Sequence, residues 1–220
     1  MRPLAILMAG GRSERMRASA GPRHKALIEV GGMTLIERNL RQLLGSGLRD
    51  LIVVIADDEP ELEAYVYARL LPLALRRGAT LTPAVERTRL GNIGFVGQIG
   101  AEYDDVLVVY VDNLCTLDVR DLLDHHICVG ADLTFAVHRE GFAIPYGMLD
   151  IADGRIRAYR EKPVLPIPIS SGTCVVGERA RRLVPLGERV EACRLFVLAE
   201  RAGLSVAAYE HDEPWVDVND

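Results

Sequence analysis

Two glycines and several cationic side chains follow the first apolar run of the sequence. Gly10 and Gly11 come directly after the apolar residues 4–9, and four cations lie close behind them, namely Arg12, Arg15, Arg23 and Lys25. Glycine lets a backbone approach an anion and turn its N–H groups toward it, and cationic side chains add charge-assisted hydrogen bonds. The segment predicts a phosphate-binding loop, although it has neither the G-K-[ST] ending of a Walker A loop nor G-x-G-x-x-G spacing.

Lysine is rare in this chain. The sequence has 26 lysines and arginines together, and only Lys25 and Lys162 are lysines. An ammonium group on a flexible stem fits places that a planar guanidinium does not. We therefore interpret the two lysines as positions where a compact point charge is needed.

The pattern of apolar residues predicts an α/β fold with a mixed, mostly parallel, Rossmann-like sheet and helices on both faces. Short runs rich in Val, Ile and Leu alternate with segments of helical period, as in parallel sheets that are buried on both sides. The predicted strands are 4–8, 51–56, 106–111, 133–137, 147–151, 155–160 and 206–209. The predicted helices are 61–77, 94–102, 119–128 and 188–202, together with a helix that starts after Thr34.

Two local signals locate turns within this pattern. Thr34 and Glu37 form a capping box for a helix that Gly45 and Gly47 end. Asp153-Gly154 separates two alternating runs and predicts a hairpin with a type I′ turn. Ligands of open α/β sheets bind beyond the carboxyl ends of the strands, so the loop after the first strand is the first expected site.

Five segments, taken in order, resemble the motifs of the sugar-1-phosphate nucleotidyltransferases, the enzymes that make nucleotide sugars. They are AGGRSERM with HKALIEVGGMTLIERNL, Val111-Asp112-Asn113-Leu114, the stretch from Tyr146-Gly147 through Asp153-Gly154 to Glu161-Lys162-Pro163, Ser171-Gly172-Thr173, and Trp215-Val216-Asp217-Val218. The resemblance covers essentially the whole chain. It implies the nucleotide-diphospho-sugar transferase type of fold. Because the sequence shows no repeat, low-complexity tract or linker, we predict one domain over 1–220, with a nucleotide-binding half at about 1–115 and a sugar-phosphate half at about 116–220.

The resemblance also implies a reaction and a set of site residues. A sugar or cyclitol 1-phosphate attacks the α-phosphate of a nucleoside triphosphate and releases pyrophosphate. The implied catalytic residues are Arg15, Lys25, Asp112 and Lys162, and Asp112 and Asp217 would bind Mg²⁺. The nucleotide would contact Ala9, Gly10, Gly11, Arg12, Ser13, Glu86, Gly91 and Asp112, and the sugar phosphate would contact Gly147, Glu161, Lys162, Ser171 and Gly172.

This sequence departs from the family pattern at several positions. Ser13 replaces the third glycine of the usual G-G-x-G-T-R, Val111 replaces the glycine before the aspartate, and Asn92 replaces a threonine. These changes remove no charged catalytic residue, but they could alter the choice of nucleotide. His24, which precedes Lys25, is a further candidate for a phosphate contact.

Composition and charge exclude other classes of protein. The 26 basic and 31 acidic residues give a net charge of -5, which argues against a nucleic-acid binder because such proteins need a positive face. The longest apolar runs are too short for a membrane helix, and residues 1–11 do not resemble a signal peptide. We therefore expect a cytoplasmic protein, and association into a homo-oligomer is left open.

Two alternatives remain at the level of sequence. GGRSERM followed by KAL also resembles the molybdenum-cofactor guanylyltransferases, although those proteins are not expected to carry the segment that ends in Glu161-Lys162-Pro163. The second alternative is a non-catalytic relative that only binds a nucleotide sugar. Neither the base nor the sugar can be chosen from the sequence.

Overall fold

The computed structural model describes residues 3–11 and 24–218. The strands, numbered in chain order, are β1 (Leu4–Met8), β2 (Glu29–Val30), β3 (Met33–Thr34), β4 (Asp50–Ala56), β5 (Thr80–Glu86), β6 (Asp105–Tyr110), β7 (Asn113–Cys115), β8 (Leu133–Ala143), β9 (Met148–Ala152), β10 (Arg155–Arg160), β11 (Val164–Gly177), β12 (Val206–His211) and β13 (Trp215–Asp217).

The helices lie between these strands. They are α1 (Leu35–Gly45), α2 (Pro60–Tyr65), α3 (Leu71–Arg76), α4 (Val119–Val129), α5 (Glu178–Arg181) and α6 (Ala192–Arg201), and a π turn at Val66–Leu70 joins α2 to α3. Short 3₁₀ turns form at Lys25–Leu27 and Gly94–Gln98. The helix cap predicted at Thr34 is confirmed, because its hydroxyl accepts a hydrogen bond from the Glu37 amide at the start of α1. The Glu37 carboxylate does not complete a capping box, because it accepts hydrogen bonds from Arg41 and Tyr65 instead.

The central sheet has seven strands in the order β12-β8-β11-β6-β1-β4-β5. β1 pairs in parallel with β4 and β6, β4 with β5, and β8 with β12, whereas β11 runs antiparallel to both of its neighbours. The predicted mixed, mostly parallel sheet is therefore confirmed. The carboxyl ends of the parallel strands meet at one edge, which we call the carboxyl edge.

Successive side chains of the central strands point to opposite faces of the sheet and fill two apolar cores, one on each face. All five residues of β1 are buried, with Leu7 packing in the cluster that includes α1 and Ile6 packing in the cluster on the other face of the sheet. A strand buried on both faces needs apolar residues at every position, which explains the unbroken run that predicted it.

The sequence prediction missed two strands of the sheet, β5 and β11. β5 is an edge strand in which threonines alternate with other residues, and it contains Pro83. β11 contains Pro166 and Pro168, which reduce the strand signal because proline cannot donate a ladder hydrogen bond. Two helices were predicted too long: residues 94–102 form only the 3₁₀ turn at Gly94–Gln98, and the last helix begins at Ala192 rather than at residue 188.

The second half of the chain builds an extended arm. The outer parts of β8 and β11 pair from Val164 with Ala143 to Ser170 with Val137, and β9 and β10 form a separate hairpin. Asp153 and Gly154 have φ values of 53° and 72°, which confirms the predicted type I′ turn.

No helix in residues 3–11 and 24–218 is long and apolar enough to cross a membrane.

A buried arginine fixes the loop that leads into β6. The guanidinium of Arg181, only 4% exposed, donates hydrogen bonds to the backbone carbonyls of residues 99, 100, 103 and 104. Burial lowers the pKa of this guanidinium, and nearby acidic side chains oppose that shift. The loop is thereby tied to α5 immediately before the strand that carries Asp112 at its end.

Arg181→Ala should lower the free energy of unfolding by about 3 kcal/mol, because buried carbonyls lose a charged donor. Urea unfolding followed by circular dichroism measures the change. Arg182→Ala is the matched control: its guanidinium is exposed and bonds Glu178 one turn earlier, so it should cost less than about 1 kcal/mol. Equal losses in the two variants would contradict this role of Arg181.

Candidate active site

Three parts of the predicted site meet at the carboxyl edge. Met8, the last residue of β1, pairs with Val54 on one side and Tyr110 on the other, and Ala56 pairs with Glu86 at the end of β5. Gly10 and Gly11 follow β1, Asp112 follows β6 and Glu86 ends β5. The sheet register therefore brings these three segments to the same edge. This agrees with the position of ligand sites in open α/β sheets.

Lys25 and Asp112 form an ion pair at this edge. The Lys25 ammonium group contacts Asp112 Oδ2, and Asn113 Nδ2 donates a hydrogen bond of 3.1 Å to Asp112 Oδ1. The two paired side chains are only 15% and 16% exposed. A Cβ atom on Gly11 would lie 3.8 Å from Lys25 Cε, so the pair adjoins the glycine loop. The structure thus places a cation and an anion side by side next to the predicted phosphate loop.

His24 connects the glycine loop to Lys25. Its Nδ1 accepts a hydrogen bond of 3.1 Å from the Ala26 amide, so Nε2 carries the proton and donates to the Gly11 carbonyl over 2.9 Å. The side chain is 1% exposed. These contacts give His24 a role in holding the Gly11 carbonyl, and its contact with phosphate stays a prediction.

A buried carboxylate lies beneath Gly10. A Cβ atom on Gly10 would lie 3.0 Å from Glu86 Oε2, so a glycine is needed for this approach. Burial raises the pKa of Glu86, while a hydrogen bond from the Leu90 amide and the charge of Arg89 act in the opposite direction. Arg89 also donates to the Gly10 carbonyl and to Asp58. Glu86 therefore packs against Gly10, and Arg89 binds the carbonyl of the same residue.

The segment around Gly91 is attached to the start of α6. Gly91 has φ +84°, and a Cβ atom there would lie 2.4 Å from the Val190 carbonyl oxygen. The Asn92 side chain accepts a hydrogen bond of 2.8 Å from the Ala192 amide, and the Asn92 amide donates to Glu191 over 3.2 Å. The Asn92 side chain is thus used as a helix cap, and the nucleotide contact of Gly91 stays a prediction.

Ser171 and Gly172 belong to an irregular part of β11 beside the ion pair. The ladder with β8 shifts register between Ser170 and Cys174. The Ser171 side chain is fully buried: its hydroxyl donates to the Ala136 carbonyl and accepts from His211 Nε2 over 3.0 Å. A sugar-phosphate contact by Ser171 would therefore have to come from its backbone.

Gly172 packs directly on the neighbour of Asp112. A Cβ atom on Gly172 would lie 2.3 Å from Asn113 Nδ2, the group that donates to Asp112. The Trp215 indole N–H donates to the Ser171 carbonyl over 3.0 Å. Sequence reasoning assigned no role to Asn113 or His211, because these contacts join segments that are distant in the chain.

Asp217 reaches the same region through backbone pairing. β13 pairs with β7, with Asp217 opposite Asn113, and the Val218 amide donates to the Asp112 carbonyl over 2.9 Å. The Asp217 side chain is exposed. Among the residues that the structure describes, no group of three or more His, Cys, Asp or Glu side chains is arranged to hold a metal ion.

The remaining sugar-side residues lie on the arm. Lys162 is exposed with φ 43°, in the turn between β10 and β11. Within the described part of the chain, it makes no hydrogen bond or ion pair with Lys25, Asp112 or Asp217. The Tyr159 hydroxyl donates to Glu161 over 2.8 Å, and a Cβ atom on Gly147 would clash with that hydroxyl. These residues form a second group that the structure does not join to the ion pair.

Three predicted residues lie outside the described part of the chain. They are Arg12 and Ser13, predicted to bind the nucleotide, and Arg15, predicted to be catalytic. Their roles stay predictions.

Comparison with protein families gives one match over most of the chain. The model of the MobA-like NTP transferase domain matches residues 5–189. Among curated proteins, the chain is 31% identical over 170 residues to one from Sulfolobus acidocaldarius named as a mannose-1-phosphate guanyltransferase, covering 74% of this chain and 45% of that protein. It is 26% identical over 177 residues to a glucose-1-phosphate adenylyltransferase of Paenarthrobacter aurescens, covering 73% and 37%. The chain thus spans less than half the length of these relatives.

Comparison with solved structures supports the fold. HddC from Yersinia pseudotuberculosis, solved in complex with GMP-PN, superposes with a TM-score of 0.71 at 18% sequence identity. The match covers 100% of this chain and 95% of that one. At this identity the similarity establishes a shared fold.

Gly172→Ala should destabilise the protein more than the same change at Gly203. Both residues have positive φ, at +77° and +66°, but nothing lies within 4 Å of a Cβ atom at Gly203. The backbone strain is common to both variants, so their difference in unfolding free energy reports the clash with Asn113, about 1–3 kcal/mol. A difference near zero in urea unfolding would show that Asn113 moves aside without cost.

The stability that the buried His211 contributes should depend on pH. Burial and the nearby His138 lower the pKa of His211 from 6.5. A lowered histidine pKa means that the stabilisation is present above pH 6.5 and is lost as the pH falls through the folded-state pKa. Urea unfolding from about pH 7.5 to about pH 5.5 should therefore show a smaller loss of stability for His211→Asn than for the unmodified protein. His125→Asn is the control and should keep the full pH dependence.

Proposed function

The chain belongs to the family of MobA-like NTP transferase domains, and we propose that it is a nucleotidyltransferase that joins a nucleoside triphosphate to a sugar or cyclitol 1-phosphate. The observation that carries the proposal is the ion pair of Lys25 and Asp112 beside Gly11, at the edge of the sheet where ligands bind. The curated relatives named for sugar 1-phosphates support the choice of acceptor.

The proposed reaction needs charge neutralisation and alignment more than a protein base. The second pKa of a phosphate monoester is about 6, so the acceptor phosphate is already largely ionised at pH 7. One of its oxygens forms a bond to the α-phosphorus, and the bond from that phosphorus to the bridging oxygen breaks. Pyrophosphate leaves with the electron pair, and no proton has to be removed.

Lys25 is proposed to act on the α-phosphate and the leaving pyrophosphate. In the structure its ammonium group contacts Asp112, and a phosphate oxygen is an equivalent anionic partner for the same group. Arg15 would add charge from the loop. Ala9, Gly10, Gly11, Arg12 and Ser13 would surround the triphosphate, with Glu86 and Gly91 on the side of the base.

The carboxylates at this edge suit Mg²⁺. Asp112 and Asp217 offer hard oxygen donors on adjacent segments that are hydrogen-bonded to each other. Mg²⁺ is commonly held by one or two protein carboxylates together with substrate phosphates, so a cluster of three protein ligands is not needed. When bound, Mg²⁺ would supply positive charge against the phosphate oxygens.

The sugar phosphate is proposed to bind between the carboxyl edge and the arm. Gly172 would contact the sugar phosphate from the carboxyl edge, and Gly147, Glu161 and Lys162 would contact it from the arm. At about 3.3 Å per residue, roughly 25 Å of strand separates Val164 from Gly172. The register shift at Ser170–Cys174 lies where a bend would bring Lys162 back toward Lys25.

One other acceptor stays under test, the molybdenum cofactor, because GGRSERM followed by KAL also resembles the molybdenum-cofactor guanylyltransferases. The hairpin that precedes Glu161-Lys162-Pro163 favours the sugar phosphate, because the guanylyltransferases of that type are not expected to have it. Pyrophosphate release is measured with five nucleoside triphosphates, once with a panel of sugar and cyclitol 1-phosphates and once with the molybdenum cofactor as acceptor, and the acceptor that gives release separates the two.

Asp112→Asn should reduce kcat/KM for pyrophosphate release by about 10²–10³-fold, because a charged group that orients the phosphates is lost. The assay uses Mg²⁺ and the substrate pair that is active with the unmodified protein. Asp124→Asn makes the same chemical change on an exposed position of α4 and should leave the rate unchanged.

Full activity of Asp112→Asn would contradict the assigned role. A protein that binds a triphosphate but releases no pyrophosphate with any acceptor would support the non-catalytic alternative. Circular dichroism of each variant confirms that it is folded.

A further inference from the structure

We propose that two copies of this chain associate through the β9–β10 hairpin. The surface concerned is one face of the hairpin, made of Leu149, Ile151, Ile156 and Tyr159, which we call the hairpin face. Association of two copies requires no substrate, so this inference is independent of the proposed function.

Strand pairing collects these four side chains on one side of the hairpin. The paired residues are Ile151 with Ile156 and Leu149 with Tyr159. Directly opposed residues of an antiparallel pair lie on the same face, and so do alternate residues of one strand. The register shift between Ile156 and Ala158 keeps Tyr159 on the face of Ile156, although the two residues are three positions apart. The hairpin face is therefore continuous and apolar.

The rest of the described chain leaves the hairpin face largely uncovered. Its four residues are 42% to 63% exposed, although all of them are large and apolar. Within residues 3–11 and 24–218, β9 and β10 form a ladder only with each other. A hairpin of two strands is marginally stable in water unless its apolar face packs against another layer. The pattern of these strands thus requires a layer that the described chain does not provide.

The area of the hairpin face fits a dimer. A large apolar residue presents roughly 200 Å² when it is fully exposed, so the four residues offer about 450 Å² and two copies offer about 900 Å². Tyr146, at the base of the hairpin, is 74% exposed and adds to this area. Specific interfaces bury at least about 1,000 Å² in total, and two hairpin faces with their margins reach that size.

Charge favours a second copy over a nucleic acid or a membrane as the partner. Residues 148–161 contain three acidic side chains and three arginines, so the hairpin has no net charge. Asp150, Arg155 and Arg160 lie on the face opposite to the hairpin face, by the same alternation of side chains. A surface without net charge does not repel its own copy, whereas nucleic acids and anionic membranes attract basic surfaces.

The hairpin face can pack on its own copy while its polar group stays paired. The Tyr159 hydroxyl already donates to Glu161 over 2.8 Å, so the ring can be buried with this bond in place. Two β layers pack face to face about 10 Å apart, and a twofold axis between them presents the same four side chains from each side. The charged face of each hairpin then stays in water.

Sedimentation velocity of the unmodified chain measures the association directly. Over a roughly hundredfold range of protein concentration, we expect a species of twice the chain mass of 24.2 kDa, and its share should grow with concentration. The mass of a single chain at every concentration overturns the proposal.

Ile156→Lys tests the hairpin face itself. The residue is exposed in the single chain, so the variant should stay folded, which circular dichroism checks, but a dimer would have to bury two added charges. The dimer Kd should rise roughly tenfold or more. Leu75→Lys is the matched control, because it adds the same charge at an exposed apolar residue of α3, which packs beside β5 at the far edge of the sheet. This control should keep the Kd of the unmodified protein.

Hydrogen exchange followed by mass spectrometry locates the contact. Peptides that cover residues 148–160 should exchange more slowly at high than at low protein concentration, because opening of the hairpin then requires dissociation. A dimer whose hairpin exchanges equally fast at both concentrations, or one that Ile156→Lys leaves intact, contradicts this interface. These measurements involve no substrate, so their outcome is separate from that of the pyrophosphate assay, which tests the proposed function.

Discussion

The pairing of Lys25 with Asp112 determines how this edge of the sheet can be built. Each charge is largely removed from water, and an isolated charge in that position would be costly without an opposite charge beside it. The pair therefore requires that the loop after β1 and the end of β6 lie next to each other, which the parallel pairing of β1 with β6 provides. In the proposed reaction the same two groups exchange partners, because phosphate oxygens and a metal ion offer each of them a new opposite charge.

Around this ion pair, glycines let the backbone come close to buried side chains, and these side chains hold the glycines in place. Gly10 lies against Glu86, Gly172 lies against Asn113, and His24 fixes the Gly11 carbonyl. Each supporting side chain is buried and makes hydrogen bonds of its own, so the loops are held from inside the protein.

The sequence predicted the parts of this molecule that depend on local pattern. The runs at 4–8 and 155–160, the Thr34 cap and the Asp153-Gly154 turn were predicted from residues that lie next to one another, and the structure confirms them. Motif residues such as Lys25 and Asp112 were found through their resemblance to a family, and the structure adds that they are paired.

The rest depends on contacts between distant segments. β11 was missed because its prolines weaken the strand signal, although pairing with β8 and β6 compensates for them. His24 bonds backbone groups of Gly11 and Ala26, whereas Asn113 and His211 bond the side chains of Asp112 and Ser171. No spacing in the sequence encodes these contacts. Gly91 matches a family motif and Asn92 departs from it, and the structure shows both residues in contact with the chain at the start of α6.

The direction of β11 has a consequence for how such a protein can diversify. Because β11 alone runs antiparallel, the part of it before Ser171 projects past the carboxyl edge and pairs there with β8, and the β9–β10 hairpin inserted between them is hydrogen-bonded only to itself within the described chain. Insertions, deletions and substitutions in that arm leave the ladder of β1, β4 and β6 intact. Under the proposed function, recognition of the acceptor can therefore evolve as a separate module, while the proposed phosphate chemistry at the carboxyl edge is inherited unchanged.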